Sequence, residues 1–192
     1  MNIEKKYRKE FFQVNSIVLG AGAWGTAISI QLIRSKCNVT LIPRSNEHAI
    51  DILKNKENKS YLPGFTLSDS LRVTSDLGHV INEKNILYIA CPTKGIRSLC
   101  EMITSNNVNS NEIDFIVILS KGIEAKTFMS PYDIVKEYFK DVPLGVLSGP
   151  SFSREVAKGN PTALTLATKH DEFASMIQKK ISDDVFRIYI SN

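Results

Sequence analysis

The chain has 192 residues, with 24 Lys and Arg against 20 Asp and Glu and a formal net charge of +4. Hydrophobic residues make up 43% and charged residues 23%, values that exclude wholesale disorder and a collagen-like repeat. The charge excess is too small and too scattered for a phosphate-backbone binder, so no nucleic-acid partner is expected.

Lys5, Lys6, Arg8 and Lys9, diluted by Glu4 and Glu10, make the densest basic stretch. Residues 1–13 read as a flexible basic leader and residues 14–192 as one domain with its own core. Short apolar, β-branched runs mark strands at Ser16–Leu19, Asn38–Ile42, Leu71–Thr74, Ile86–Ala90, Phe115–Leu119, Leu144–Ser148, Ala163–Ala167 and Phe186–Ile190. Amphipathic stretches between them predict helices starting near Trp24, Glu47, Ser75, Lys94, Pro131, Ser151 and Asp171. Ser105 to Glu112, rich in Asn and Ser, reads as a surface loop. Two strand cores, at residues 86–90 and 115–119, are apolar at every position, as strands covered on both faces must be. The alternation predicts an α/β fold, a doubly wound, mainly parallel Rossmann-like sheet flanked by helices. Ligands of such sheets bind beyond the carboxyl ends of the strands, so the residues that follow each strand carry the functional reading.

After the first strand comes Gly20-Ala21-Gly22-Ala23-Trp24-Gly25. GxGxxG between a strand and a helix is a dinucleotide-binding pattern. Gly20 permits the turn, Gly22 lets a pyrophosphate approach the backbone, and Gly25 lets helix and strand pack closely. The amides of the helix N-terminus then hold the phosphates. Trp24 reads equally as a wall of the cofactor site or as packing. NAD sites usually place an acid about 20 residues further on, for the ribose 2′-hydroxyl. Here the second strand ends Pro43-Arg44-Ser45, and the first acid is Glu47. Arg44 and Ser45 suit a 2′-phosphate, which favours NADP(H) and keeps NAD(H) open.

Later strand ends add chemistry. Cys91 follows the fourth strand and reads as a small buried residue rather than a reactive thiol. Lys121, after the fifth, puts a cation in the crevice, to meet a phosphate, a carbonyl oxygen or the cofactor. Gly149-Pro150 turns the chain after the sixth; Ser151 can cap the next helix, and Ser151 and Ser153 offer hydroxyls to a polar ligand. No GxSxG elbow supports a hydrolase. Cys37, Cys91 and Cys100 form no CxxC pair and fit a reducing compartment. His48, His79 and His170 have no metal-ligand spacing, so no metal is expected. No apolar run approaches the ~18 residues of a membrane span, and a cytoplasmic location is the expectation.

Together these motifs resemble the bacterial-type NAD(P)-dependent glycerol-3-phosphate dehydrogenase family. Residues 20–27 are similar to its opening, Asn58-Lys59-Ser60-Tyr61-Leu62-Pro63-Gly64 to its NxxYLPG segment, and Cys91-Pro92-Thr93-Lys94 to its VPT/VPS turn. Lys121-Gly122-Ile123-Glu124 matches its KGIE, residues 148–163 resemble its SGPSFAxEVAxGxPTA, and Phe186-Arg187-Ile188-Tyr189 resembles its FRVY strand. The resemblance implies hydride transfer between NAD(P)H and dihydroxyacetone phosphate, giving sn-glycerol 3-phosphate for phospholipid synthesis. It places Ala23, Trp24, Arg44, Ser45 and Ser153 at cofactor positions, beside Gly20, Gly22 and Gly25. Lys121 falls where cofactor and substrate meet, and Gly149 and Ser151 on the substrate side. Ser153 replaces an alanine, Pro43 stands where small or aromatic residues are common, and Ile190 separates Tyr189 from Ser191. In the family the catalytic lysine and most phosphate-binding residues lie in a helical C-terminal domain, beyond the position matching Asn192. The expectation is therefore a cofactor-binding portion, with no catalytic residue of its own and little or no turnover alone. A homodimer stays open for the full-length form. Two other readings are a non-catalytic nucleotide-binding or regulatory remnant, and a related dehydrogenase acting on another small carbonyl substrate.

Overall fold

The structure, a computed structural model, describes residues 15–81, 85–106, 108 and 110–192. The leader expected over residues 1–13 lies outside them. The described elements are β1 (Asn15–Leu19), α1 (Ala23–Arg34), β2 (Asn38–Ile42), α2 (Asn46–Asn55), β3 (Arg72–Val73), β4 (Asn85–Ile89), α3 (Ile96–Ser105), β5 (Ile113–Ile118), α4 (Pro131–Tyr138), β6 (Leu144–Ser148), α5 (Ser153–Lys158), β7 (Thr162–Ala167), α6 (Asp171–Ile181) and β8 (Phe186–Ser191).

All eight strands join one sheet in the order β3-β2-β1-β4-β5-β6-β7-β8. From β3 to β6 every neighbour is parallel; β7 runs antiparallel to β6, and β8 parallel to β7. The chain winds outward from β1 to β3, then returns to β4 and winds the other way. The reversal opens a crevice between the carboxyl ends of β1 and β4, the switch point where such sheets take ligands.

Alternate residues of one strand feed two separate cores. Val18, Tyr88, Phe115 and Val117 face one cluster with Leu32 of α1 and Ile177 of α6. Ile17, Leu19, Leu87, Ile89, Ile116 and Ile118 face the other, with Cys100 of α3 and Ile134 of α4. A two-residue period with both phases apolar is what burial on both faces requires.

Local chemistry starts the helices. Ser45 caps α2 by accepting from the His48 amide at 3.3 Å. α4 opens with a reciprocal capping box: Asp133 N–H donates to Ser130 Oγ at 3.2 Å and Ser130 N–H to Asp133 Oδ2 at 3.3 Å, with Pro131 in the first turn.

Two expectations are corrected. No helix follows Ser75 among the described residues before β4; Ser75 is a bend and residues 78–80 form a turn. The Asp76 side chain accepts from the Gly78 amide at 3.1 Å, a donor that a helix would send to the Thr74 carbonyl. Buried Leu77 and Ile81 pin the segment to the core. Nor does Ser151 cap a helix. α5 starts at Ser153, with Phe152 at the N-cap and no side-chain cap bond; Ser151 Oγ instead donates to the Ala163 carbonyl at 3.4 Å.

Candidate functional site

The loop from Gly20 to Gly25 occupies the mouth of the crevice. Gly20 has φ 114°, the left-handed side that L side chains rarely adopt, and a Cβ there would stand 2.9 Å from the Cys91 nitrogen. Gly25 solves a different problem: a Cβ would lie 1.9 Å from the Gly20 carbonyl oxygen. Gly22 has extended backbone geometry, and a Cβ added there would meet nothing within 4 Å. Its missing side chain therefore serves access from outside. α1 begins at Ala23 with no side-chain cap and no acid in its first turn. Open backbone at an uncapped helix N-terminus suits a pyrophosphate. Ala23 and Trp24 are half-buried and pack against the core cluster of α1 and α6, so packing accounts for at least part of the indole.

At the end of β2, Arg44 and Ser45 are both exposed. Ser45 already accepts from the His48 amide at the α2 N-cap. Hydrogen bonds from its own amide and from Ser45 hold the Glu47 carboxyl below the usual range. An ionised acid thus stands in the first turn of α2, three residues after Arg44. Sequence spacing passed over Glu47 because it follows the strand end by several residues. A cation suits a 2′-phosphate, and a carboxylate suits a free 2′-hydroxyl.

The loops after β4, β5 and β6 are tied in sequence. Ser120 Oγ donates to the Cys91 carbonyl at 2.6 Å, and Thr93 Oγ1 to the Lys121 carbonyl at 2.7 Å. Lys121 Nζ donates to the Gly149 carbonyl at 2.9 Å. The structure thus brings Lys121, which the resemblance places where cofactor and substrate meet, against Gly149, one of the two residues it places with Ser151 on the substrate side. An ammonium has three donors, so this bond leaves two for a ligand oxygen. Ser151 and Ser153, both half-buried, follow on the same turn. Cys91 is half-buried, and desolvation raises its thiol pKa to about 11, which keeps it protonated and unreactive at neutral pH.

Glu124, the acid of the KGIE segment, faces away from this chemistry. Arg97 of α3 clamps it with two bonds of 3.1 and 3.0 Å and reaches Glu137 of α4 at 2.7 Å. Hydrogen bonds from Arg97 and Thr127 hold the Glu124 carboxyl below its usual range. This acid fastens the β5–α4 loop to α3.

Sequence reasoning gave no structural role to Asn58 or Arg154. Asn58 is fully buried and bonded to the Ala21 carbonyl and to Thr26 Oγ1. Arg154 of α5 donates to the Pro63 carbonyl at 2.9 Å and lies over the Phe65 ring at 5.2 Å. The NxxYLPG segment is thus strapped to the glycine loop at one end and to α5 at the other. Only its resemblance to a family segment singled it out.

No helix among the described residues is long and apolar enough to cross a membrane. A family model described as the NAD-dependent glycerol-3-phosphate dehydrogenase N-terminus matches residues 16–174. A glycerol-3-phosphate dehydrogenase (NAD(P)+) of Nitrosomonas eutropha is 38% identical over 180 residues, covering 93% of this chain and 53% of the relative. One from Acinetobacter baumannii is 35% identical over 175 residues, covering 91% and 48%. The crystal structure of a glycerol-3-phosphate dehydrogenase from Coxiella burnetii superposes with a TM-score of 0.82 at 25% identity, covering 94% of this chain and 55% of that one. The chain spans about half the length of the curated relatives it matches. With most of its length matched by the family model, on a sheet whose switch point carries the glycine loop, this chain belongs to the NAD-dependent glycerol-3-phosphate dehydrogenase family, in the part that forms its N-terminus.

Proposed function

We propose that residues 14–192 are the dinucleotide-binding domain of an NAD(P)-dependent sn-glycerol-3-phosphate dehydrogenase. The whole protein then holds a helical substrate domain beyond the region described. The observation that carries this reading is Gly22: open backbone at an uncapped helix N-terminus, at the switch point of the sheet. Gly20, Gly22, Ala23, Trp24 and Gly25 would hold the pyrophosphate half of the cofactor, and Arg44 and Ser45 the adenosine ribose. Ser153 would complete the cofactor contacts. NADP(H) is favoured through Arg44, and Glu47 leaves NAD(H) as a second cofactor.

The nicotinamide, when bound, supplies the hydride that reduces the carbonyl of dihydroxyacetone phosphate to sn-glycerol 3-phosphate. The carbonyl oxygen gains negative charge as the carbon is reduced. A preorganised cation stabilises that charge without reorganising. Lys121, held by its bond to the Gly149 carbonyl, keeps two donors for that oxygen or for the phosphate. Gly149 and Ser151 shape the same wall. The proton donor to the alkoxide belongs to the substrate domain, in a cytoplasmic enzyme that feeds phospholipid synthesis and is a candidate homodimer.

Titration with NADPH and NADH, read by nicotinamide fluorescence, tests the binding half. Saturable binding of both, NADPH the tighter, is expected. An assay of dihydroxyacetone phosphate reduction by the 192-residue chain tests the other half. General acid catalysis is worth about 10²–10⁴-fold, so turnover should be faint or absent. Rapid turnover would place the proton donor within this chain.

A further inference from the structure

Asn58 is 0% exposed yet lies outside any helix or strand. A side-chain amide at that depth is costly unless its polar atoms are bonded. Its Nδ2 donates to the Ala21 carbonyl oxygen at 2.8 Å and to Thr26 Oγ1 at 2.7 Å. With both amide protons used, Oδ1 accepts from His48 Nε2 at 3.0 Å, which puts a proton on that ring nitrogen. The Thr26 hydroxyl, having accepted from Asn58, donates to the Gly22 carbonyl at 2.9 Å.

One side chain thus fixes two successive carbonyls of the glycine loop: Ala21 directly, and Gly22 through Thr26. In a planar trans peptide, C=O and N–H point in opposite directions. Tying the Ala21 and Gly22 carbonyls inward therefore aims the amides of Gly22 and Ala23 outward, where Gly22 leaves the approach open. The same network continues through His48 into α2, whose N-cap is Ser45.

We infer that Asn58 is a positioning residue for dinucleotide binding. It presets the two amides that meet the pyrophosphate, and its bond to His48 anchors it on α2. The inference rests on the dinucleotide reading of the glycine loop proposed above. It makes the buried asparagine, rather than the glycines alone, the source of the loop's preorganisation.

The test compares wild type, N58A, T26V and the double variant by two readouts. The first is affinity for NADPH, ADP and adenosine 2′-monophosphate. In N58A, NADPH and ADP should bind about tenfold or more weakly, since the amides must be ordered on binding. Adenosine 2′-monophosphate, which carries no pyrophosphate, should bind within about twofold of wild type. T26V should act in the same direction, and the double variant should lose less than the two single losses combined. Unchanged affinities, or equal losses for all three ligands, would overturn the inference. The second readout needs no nucleotide: exchange of the Thr26 amide, which donates to the Gly22 carbonyl at 3.0 Å. It should speed up about tenfold in N58A while the β5 amides stay unchanged; equal rates in both proteins would overturn the inference. A wild-type chain that binds no nucleotide defeats the dinucleotide reading, and the exchange measurement then decides the role of Asn58 separately. Should N58A fail to fold, T26V, close in shape, carries both readouts.

Discussion

Strands β4 and β5, beside the crevice, are buried at nearly every position, whereas β7 and β8, at the far edge, alternate buried and exposed residues. Leu164, Leu166, Phe186 and Ile188 turn into the core shared with α1 and α6. Ala163, Thr165, Ala167, Arg187 and Tyr189 stand on the opposite face, which is open. Parallel sheets are normally covered on both faces, and the β7–β8 pair, itself parallel, is covered on one. The crevice region is thus finished to the last ångström, and the edge presents a surface. A substrate domain, as proposed, needs such a surface. The exposed Ile123, Phe128 and Phe152, on the loops after β5 and β6, add apolar area at the carboxyl ends of the strands.

The largest expected effect tests how tightly the crevice is packed. Gly25→Ala would put a methyl 1.9 Å from the Gly20 carbonyl oxygen and 3.1 Å from Ala90 Cβ. Neither atom can step aside without moving β1 or β4. Overpacking against backbone should cost about 3 kcal/mol or more, measured by urea denaturation. Gly22→Ala is the control, because its methyl meets nothing within 4 Å. Stability should fall by less than about 1 kcal/mol, while NADPH affinity drops at least about tenfold as the methyl occupies the pyrophosphate's approach. If both variants lost stability alike, the loop would be a packing motif and the dinucleotide reading would weaken.

Cofactor choice gives the next effect. Arg44→Ala should weaken NADPH about tenfold and leave NADH nearly unchanged, because a charged hydrogen bond is lost only where a 2′-phosphate exists. Glu47→Gln should shift preference further towards NADPH by removing a like charge. Loss of both cofactors equally in the Arg44 variant would assign that residue to the fold of the loop.

How far the sequence carried these conclusions follows from the range of the interactions. The glycine loop is legible because its three glycines form one contiguous spacing pattern between a strand and a helix. β4 and β5 were legible because apolar residues in both phases of a two-residue period allow few alternatives. The segment after Ser75 was misread because its apolar positions suit a helix, while Asp76 spends its side chain on the Gly78 amide. Ser151 looks like a cap by type and spacing, yet its hydroxyl goes to Ala163, twelve residues away. Asn58 was invisible to pattern: nothing local marks a loop asparagine as buried, and its partners lie 37 and 32 residues upstream. Glu47 lies past the strand end that the spacing rule reads, in the first turn of the helix that Ser45 caps.

A smaller effect concerns pH. Glu124 is held below the usual carboxylate range by its hydrogen bonds to Arg97, then by Thr127. A carboxylate whose folded pKa is depressed stabilises the fold above its unfolded value, about 4.3. That contribution is lost as pH falls through the folded value. Glu124→Gln should therefore be less stable than wild type at pH 7, and the gap in urea midpoint should close as the pH drops below about 4. A gap that persisted unchanged in acid would mean the clamp works by shape rather than charge.

The smallest effect belongs to the open face. Thr165 pairs with Tyr189 of β8 on the uncovered side. Thr165→Lys keeps the strand's alternation, and its stem can lie along the Tyr189 ring with the ammonium in water. In the 192-residue chain it should change stability by no more than about 0.5 kcal/mol. The neighbouring Leu164→Ala, on the buried face at 1% exposure, should cost about 2–5 kcal/mol. The two substitutions sit one residue apart, so the strand's own propensity largely cancels between them and the difference reports which face is covered. If Thr165→Lys also cost about 2 kcal/mol or more, the face would be covered in solution by a second copy of the chain. The loss would then shrink on dilution, because only the associated form buries that side chain.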